Sequence, residues 1–411
     1  MTRSQTLLDK LHALQARAPR GMILGLDRVE HALAALGDPH LDLDLACVHI
    51  AGSNGKGSTS AMVESIARAA GLRTGLYTSP HLSRFAERIR VDGDPIDDAP
   101  FERALAAVLD RCRPDLTFFE SLTVAAFFAF REARIDLAVL EVGLGGRLDA
   151  TNVIRAPIAA AITTISLEHT AILGETIAAI AREKAGIFKS GATVVLGPLD
   201  PEADRVAVEV AREVGAGPIV RVAREGHSFE LGLAGPHQID NAAVAVGLAR
   251  AIEQRFPDRS FSRAIVTGLR DARWPGRLER IDQGGVTVLL DAAHNPEGIA
   301  ALRRAFHADP DHTALVFGAL ADKRWPDMLR AVAGLASRRY YTEPKGRAPA
   351  PLADLHALAP GVAVPDPRAA IRRAIAESAP GDTVLVTGSI YLVGEVRSEL
   401  FGIEADPVIA L

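Results

Sequence analysis

Cysteine is nearly missing. Cys47 and Cys112 are the only two among 411 residues, too few for a disulfide framework or a cysteine zinc site and in keeping with a reducing compartment. No charge of one sign dominates: the formal net charge is -5, which gives no broad electrostatic reason to expect nucleic acid as a partner. Long apolar runs are missing too. The most compact one, 124–130, is too short to cross a bilayer, so no membrane anchor is expected. Residues 1–20 carry Leu7, Leu8, Leu11 and Leu14 at helical spacing but no signal-peptide core, and the expected location is the cytoplasm. There is no fixed-period repeat and no low-complexity tract.

What is present is ample material for cores: 48% of residues are hydrophobic and 24% charged, a globular composition whose length calls for two or three domains, two being the starting count. Short β-branched runs at 47–51, 74–78, 137–142, 160–166 and 193–196 alternate with helical patterns. That rhythm predicts βαβ units on a mostly parallel sheet. Two further runs, 219–222 and 228–233, predict a small appended hairpin, and a helix is expected over 238–256. The stretch 271–277 (Asp-Ala-Arg-Trp-Pro-Gly-Arg) combines proline, glycine and charge after a helical segment and marks a domain boundary. A second α/β rhythm follows, with strands expected at 286–290, 314–317, 339–342 and 383–387 and helices at 297–306 and 367–377.

The sharpest local motif is His-Ile-Ala-Gly-Ser-Asn-Gly-Lys-Gly-Ser-Thr at 49–59, a strand entering a glycine-rich turn and then a helix. Such a turn aims backbone N–H groups and a helix amino end at phosphate, with Lys56 to neutralise charge. It departs from the standard P-loop pattern, because Ile50 replaces the first glycine and Gly57 stands where serine or threonine is usual. Ser79-Pro80-His81-Leu82 and the run from Glu141 to Asn152 each follow an expected strand. In open parallel sheets ligands bind at that edge, so Ser79, Glu141 and Asp149 could converge on the loop. Glu141 is also a plausible single hard-oxygen ligand for a magnesium shared with phosphate. His169 and Lys184 taken alone read as ordinary surface residues.

Taken in order, the segments 52–59, 79–82, 141–152, His169, 183–189, 237–242 (His-Gln-Ile-Asp-Asn-Ala), 274–277 (Trp-Pro-Gly-Arg) and 291–296 (Asp-Ala-Ala-His-Asn-Pro) resemble the folylpolyglutamate synthase and dihydrofolate synthase family of the Mur-ligase superfamily. The resemblance spans nearly the whole chain. It implies an α/β fold: a P-loop-type, mostly parallel sheet domain with a small β appendage over 1–275, then a smaller Rossmann-like α/β domain over 276–411. It implies an ADP-forming ligase adding L-glutamate to dihydropteroate, to the γ-carboxylate of reduced folates, or to both, through an acyl phosphate; the 148–150 segment favours the bifunctional form.

By the same resemblance Gly52, Ser53, Asn54, Gly55, Lys56, Gly57 and Ser58 would cradle ATP, with Lys56 at the transferred phosphoryl group. Ser79 and Glu141 would hold one magnesium, and Glu141 and His169 a second. Lys184 would be carbamylated, since an ammonium there would repel the metal. Asn241 would approach the nucleotide from its helix, and Arg277, Asp291 and His294 would close over it from the second domain, shielding the acyl phosphate from water. Phe119, Asp149 and Ala150 would form the pterin side. A monomer is implied. The loop has Ser53 where threonine is usual, Glu168 where aspartate commonly precedes the histidine, and Ala171 where a polar residue is common. The alternatives are another Mur-type amide ligase, which would be expected to carry a further substrate domain ahead of the loop, and a P-loop small-molecule kinase, which the 274–277 and 291–296 motifs argue against.

Overall fold

The computed structural model describes residues 3–17, 23–42, 46–222, 229–307 and 309–407. Two compact units result, one from 1–80, 85–232 and 238–273, the other from 81–84, 233–237 and 274–411.

The first unit is built on an eight-stranded sheet. In chain order its strands are β1 (Ala46–Ala51), β2 (Thr74–Tyr77), β3 (Ile89–Val91), β4 (Asp94–Pro95), β5 (Leu137–Glu141), β6 (Ala159–Ile162), β7 (Thr193–Leu196) and β8 (Ile219–Arg221), arranged β4-β3-β2-β5-β1-β6-β7-β8. All neighbouring pairs from β2 to β8 are parallel; β3 and β4 form an antiparallel appendage at one edge. Helices on both faces bury the strands, which is why β1, β5 and β6 read as continuous apolar runs rather than alternating ones.

The hairpin expected at 219–222 and 228–233 does not form among the described residues. β8 instead follows the helix Pro201–Glu213 and adds to the sheet in parallel beside β7, continuing the βαβ winding. Gly232 donates its N–H to the Leu269 carbonyl at 2.9 Å, so that segment docks on the end of the helix Phe261–Asp271; residues 223–228 lie outside the described residues.

That helix lies against the helix Lys56–Ala69 almost backbone to backbone. A Cβ on Gly268 would sit 2.4 Å from the Ile66 Cα, and backbone cannot yield as a flexible side chain can. Gly268→Ala is therefore expected to destabilise the protein by about 2–3 kcal/mol, an overpacking cost, and to lower Tm by about 5 °C or more. An unchanged Tm in a thermal melt would contradict this packing.

The second unit carries six strands: β9 (Glu279–Gln283), β10 (Val286–Asp291), β11 (Thr313–Phe317), β12 (Arg338–Tyr341), β13 (Val362–Ala363) and β14 (Thr383–Thr387), in the order β13-β12-β11-β14-β10-β9. Only β9 is antiparallel. The short segment 81–84 belongs with this unit: Leu82 packs on the cluster around Leu290 and Val393. The Ser83 Oγ donates to the Gly394 carbonyl at 3.3 Å, and the Ser83 carbonyl accepts from the Asp406 N–H at 2.8 Å.

Candidate active site

β1 runs out through Gly52 and turns into the helix Lys56–Ala69 at Gly55. Both glycines are required. Gly52 has φ +150 and a Cβ there would lie 1.9 Å from the Thr163 Oγ1; Gly55 has φ +88 and a Cβ would lie 2.2 Å from the Asn241 Oδ1. The loop is pinned from β6 outward: the Ser53 N–H donates to the Thr164 carbonyl at 2.8 Å, the Asn54 N–H to the Thr164 Oγ1 at 3.0 Å, and the Thr163 Oγ1 to the Asn54 carbonyl at 2.6 Å. What the loop presents is the first turn of a fourteen-residue helix, whose N–H groups lack intrahelical partners and carry partial positive charge. Ser58 lies in that turn and accepts from the Gln238 Nε2 at 3.4 Å; the Asn241 Nδ2 donates to the Gln238 Oε1 at 2.8 Å. The amino end of the helix His237–Arg255 is thereby fixed beside the loop.

Two lysines meet at one carbonyl. The Lys56 Nζ donates to the Gly52 oxygen at 2.8 Å, and the buried Lys184 Nζ donates to the same oxygen at 3.1 Å and to the Glu168 Oε1 at 2.9 Å. Burial, then the charge of Lys56, pull the Lys184 ammonium down to about 8, with Glu168 pulling the other way. Burial alone would raise the Glu168 carboxyl, but the charges of Lys184 and Lys56 and the bonds from Lys184 and Ser53 outweigh it and hold the group at about 2.

Glu141 closes β5, paired in register with Ile50 of β1, so its buried carboxylate lies at the same sheet edge as the loop. Its Oε2 accepts from the Ser79 N–H at 3.3 Å. His169 follows Glu168 in an exposed turn at φ 48. Among the described residues there is no group of three His, Cys, Asp or Glu side chains placed to hold a metal. A serine hydroxyl and a single carboxylate at a strand end are nonetheless hard-oxygen donors that suit magnesium when phosphate oxygens and water complete the sphere.

The loop 143–151 is organised by one carboxylate. The Asp149 Oδ2 accepts from the N–H groups of Gly143 at 3.0 Å and Leu144 at 2.9 Å; its Oδ1 accepts from the Thr151 N–H at 3.0 Å and the Thr151 Oγ1 at 2.6 Å. Burial pushes this carboxyl upward, opposed by those four donors. Phe119 is half-buried across the loop: a Cβ on Gly143 would lie 2.5 Å from its ring, and the ring stands 6.1 Å from that of Tyr77. Ala150 is buried next to Asp149.

In the second unit, Asp291 ends β10 and accepts from the N–H groups of Ala293 at 3.0 Å and Leu278 at 3.1 Å. Burial raises its carboxyl, opposed by the charge of Arg277. The His294 Nδ1 lies 2.9 Å from the Ala292 carbonyl. Because a carbonyl only accepts, Nδ1 carries a proton.

Sequence reasoning missed the pairing of Glu168 with Lys184, the anchoring of the loop by Thr163 and Thr164, the part of Gln238, and His49. His49 carried a local signal, a histidine inside an apolar strand.

A family model described as the Mur ligase middle domain matches residues 50–215, and one described as the Mur ligase, glutamate ligase domain matches 276–390. The chain is 32% identical over 427 residues to the dihydrofolate synthase/folylpolyglutamate synthase of Bacillus subtilis, covering 94% of this chain and 97% of that protein. It is 38% identical over 414 residues to a probable bifunctional folylpolyglutamate synthase/dihydropteroate synthase of Haloferax volcanii, covering 91% of this chain and 48% of that one. The chain thus spans about half the length of that relative. Among solved structures it is similar to E. coli FolC in complex with DHPP and ADP, with TM-score 0.85 and 31% identity over 98% of this chain and 99% of the other. It is also similar to a bifunctional folylpolyglutamate synthase/dihydrofolate synthase with Mn, AMPPNP and L-glutamate bound, with TM-score 0.82 and 32% identity over 95% and 98%.

Proposed function

The chain belongs to the folylpolyglutamate synthase and dihydrofolate synthase family of Mur ligases, and on that premise we propose that it is an ADP-forming ligase joining L-glutamate to dihydropteroate and to reduced folates. The observation that carries the proposal is the glycine loop at the end of β1, which brings Lys56 and the amino end of the helix Lys56–Ala69 to one place. Such a concentration of positive charge is what a triphosphate requires.

An oxygen of the acceptor carboxylate attacks the γ-phosphorus of ATP and releases ADP, giving an acyl phosphate. The amine of glutamate then attacks the acyl carbon, and the tetrahedral intermediate expels phosphate with loss of the amine proton. Lys56 and the helix amino end hold the phosphates and neutralise charge as it shifts, which is the main demand of phosphoryl transfer. We assign Ser79 and Glu141 as protein ligands of one magnesium and Glu141 and His169 to a second; magnesium, when bound, screens the phosphate charge. Lys184 is assigned as a carbamate. A buried lysine drawn down to about 8 keeps roughly a tenth of itself as free amine at neutral pH, and free amine is the form that adds carbon dioxide.

Asn241 is assigned to the nucleotide, as are Arg277 and His294 of the second unit, with Asp291 holding the turn between them. Phe119 and Ala150 are assigned to the pterin, against a wall held by Asp149. Monomeric form and a cytoplasmic location complete the proposal by family resemblance; no helix among the described residues is long and apolar enough to cross a membrane.

The test is ADP release with magnesium, ATP and glutamate, using dihydropteroate, a reduced monoglutamyl folate or no acceptor, with product masses recorded. One glutamate gained by each acceptor is the expected result. Gain by only one would define a narrower enzyme, and gain by neither would point to another Mur-type amide ligase.

A further inference from the structure

His49 is fully buried in the middle of β1, three residues before Gly52. Its register partners are Leu140 in β5 and Ala160 in β6, apolar neighbours that offer it nothing polar. Its Nε2 lies 2.8 Å from the Thr151 Oγ1, and its Nδ1 has no hydrogen-bond partner. The Thr151 hydroxyl has one proton, and that proton goes to the Asp149 Oδ1 at 2.6 Å. The hydroxyl can therefore only accept from His49, which fixes the imidazole as the Nε2–H tautomer. The result is a directed chain: His49 donates to Thr151, Thr151 to Asp149, and Asp149 gathers the N–H groups of Gly143, Leu144 and Thr151. A carboxylate offers about four acceptor sites, and all four of those on Asp149 are taken by donors of its own loop.

From this geometry we infer that His49, Thr151 and Asp149 act as a single positioning unit that sets the loop 143–151 for the pterin, with Asp149 shaping that wall rather than touching the ligand. The inference rests on the assignment of this loop to the pterin side. It ties the wall to the strand that delivers the phosphate loop, so one buried column joins the pterin side to the ATP side. Gly143 and the Phe119 ring stacked over it are the part of the wall this unit aims. None of its three members meets a reacting atom.

The experiment uses the full-length protein. Thr151→Val keeps the shape of the side chain while removing the hydroxyl. It is expected to raise KM for dihydropteroate about tenfold, the usual scale for a lost hydrogen bond to a charged group, while KM for ATP stays within about twofold. Thr151→Ser, which restores the hydroxyl, should return KM for dihydropteroate to near the wild-type value. His49→Leu should repeat the Thr151→Val effect, and His49→Gln, which places an N–H donor at a similar reach, should largely repair it; this pair decides the matter should Thr151→Val fail to fold. Nitrogen NMR of the wild-type imidazole should show Nε2 protonated and Nδ1 bare. Equal rises in both KM values, no change in either, or failure of serine and glutamine to repair the loss would each overturn the inference. A wild-type protein that adds no glutamate to any pterin would instead overturn the functional assignment, and the inference with it.

Discussion

Lys56→Ala is expected to lower turnover by about three orders of magnitude, the scale seen when a positioned charge donor is removed from a transferring group. The side chain is half-buried, and its hydrogen bonds run to the carbonyls of Gly52 and Ser53 within its own loop. Removing it leaves no buried polar side chain stranded and creates no core cavity, so Tm should move by no more than a few degrees. Glu141→Ala should show a comparable loss, since its carboxylate lies at the strand end beside Ser79. ADP release and a thermal melt on the same preparations separate loss of chemistry from loss of fold. Near-normal rates in either variant would remove that residue from the site.

The second large effect is expected at Lys184. Its ammonium shares the Gly52 carbonyl with Lys56 and pairs with Glu168, with the charge of Asp149 acting from farther off. Two cations on one oxygen against one paired carboxylate is an unfavourable charge balance in a buried place. Adding carbon dioxide to the neutral amine, with release of a proton, turns the second cation into an anion and reverses the balance. Lys184→Ala should therefore lower turnover by about a hundredfold or more, the range for groups that orient a metal site. Protein equilibrated with isotopically labelled bicarbonate should show one labelled carbamate by NMR that Lys184→Ala lacks. A full activity loss in Lys184→Ala without that signal in the wild type would leave Lys184 essential but unmodified, bound to Glu168 as an ammonium.

Much of this architecture was legible because buried parallel strands advertise themselves. The apolar runs at 193–196 and 383–387 became β7 and β14 with those bounds, and the helix expected over 238–256 is His237–Arg255. Strands lacking such a run were not visible. β4 is the two residues Asp94–Pro95, and β9 reads Glu-Arg-Ile-Asp-Gln, an edge strand whose charges suit solvent on one side. The hairpin expected from the runs 219–222 and 228–233 is not found among the described residues, because a short β-like run says nothing about which partner it chooses. At the site, glycines and motif order singled out loops at the strand ends, but partners distant in sequence could not be read. Glu168 and Lys184 are sixteen residues apart, Gly55 and Asn241 far more, and His49 and Thr151 are separated by 102 positions. Nothing short-range encodes those meetings.

The segment 81–84 has a bearing on how the protein is made. Ser83 and Gly394 are 311 positions apart, so Leu82 is translated long before the cluster that buries it. At about 5–20 residues per second the interval is roughly fifteen seconds to one minute, during which an apolar side chain flanked by His81 and Ser83 waits on a nascent chain. A recombinant fragment covering 274–411 alone would be synthesised without Leu82, leaving the surface around Val393 uncovered and open to aggregation.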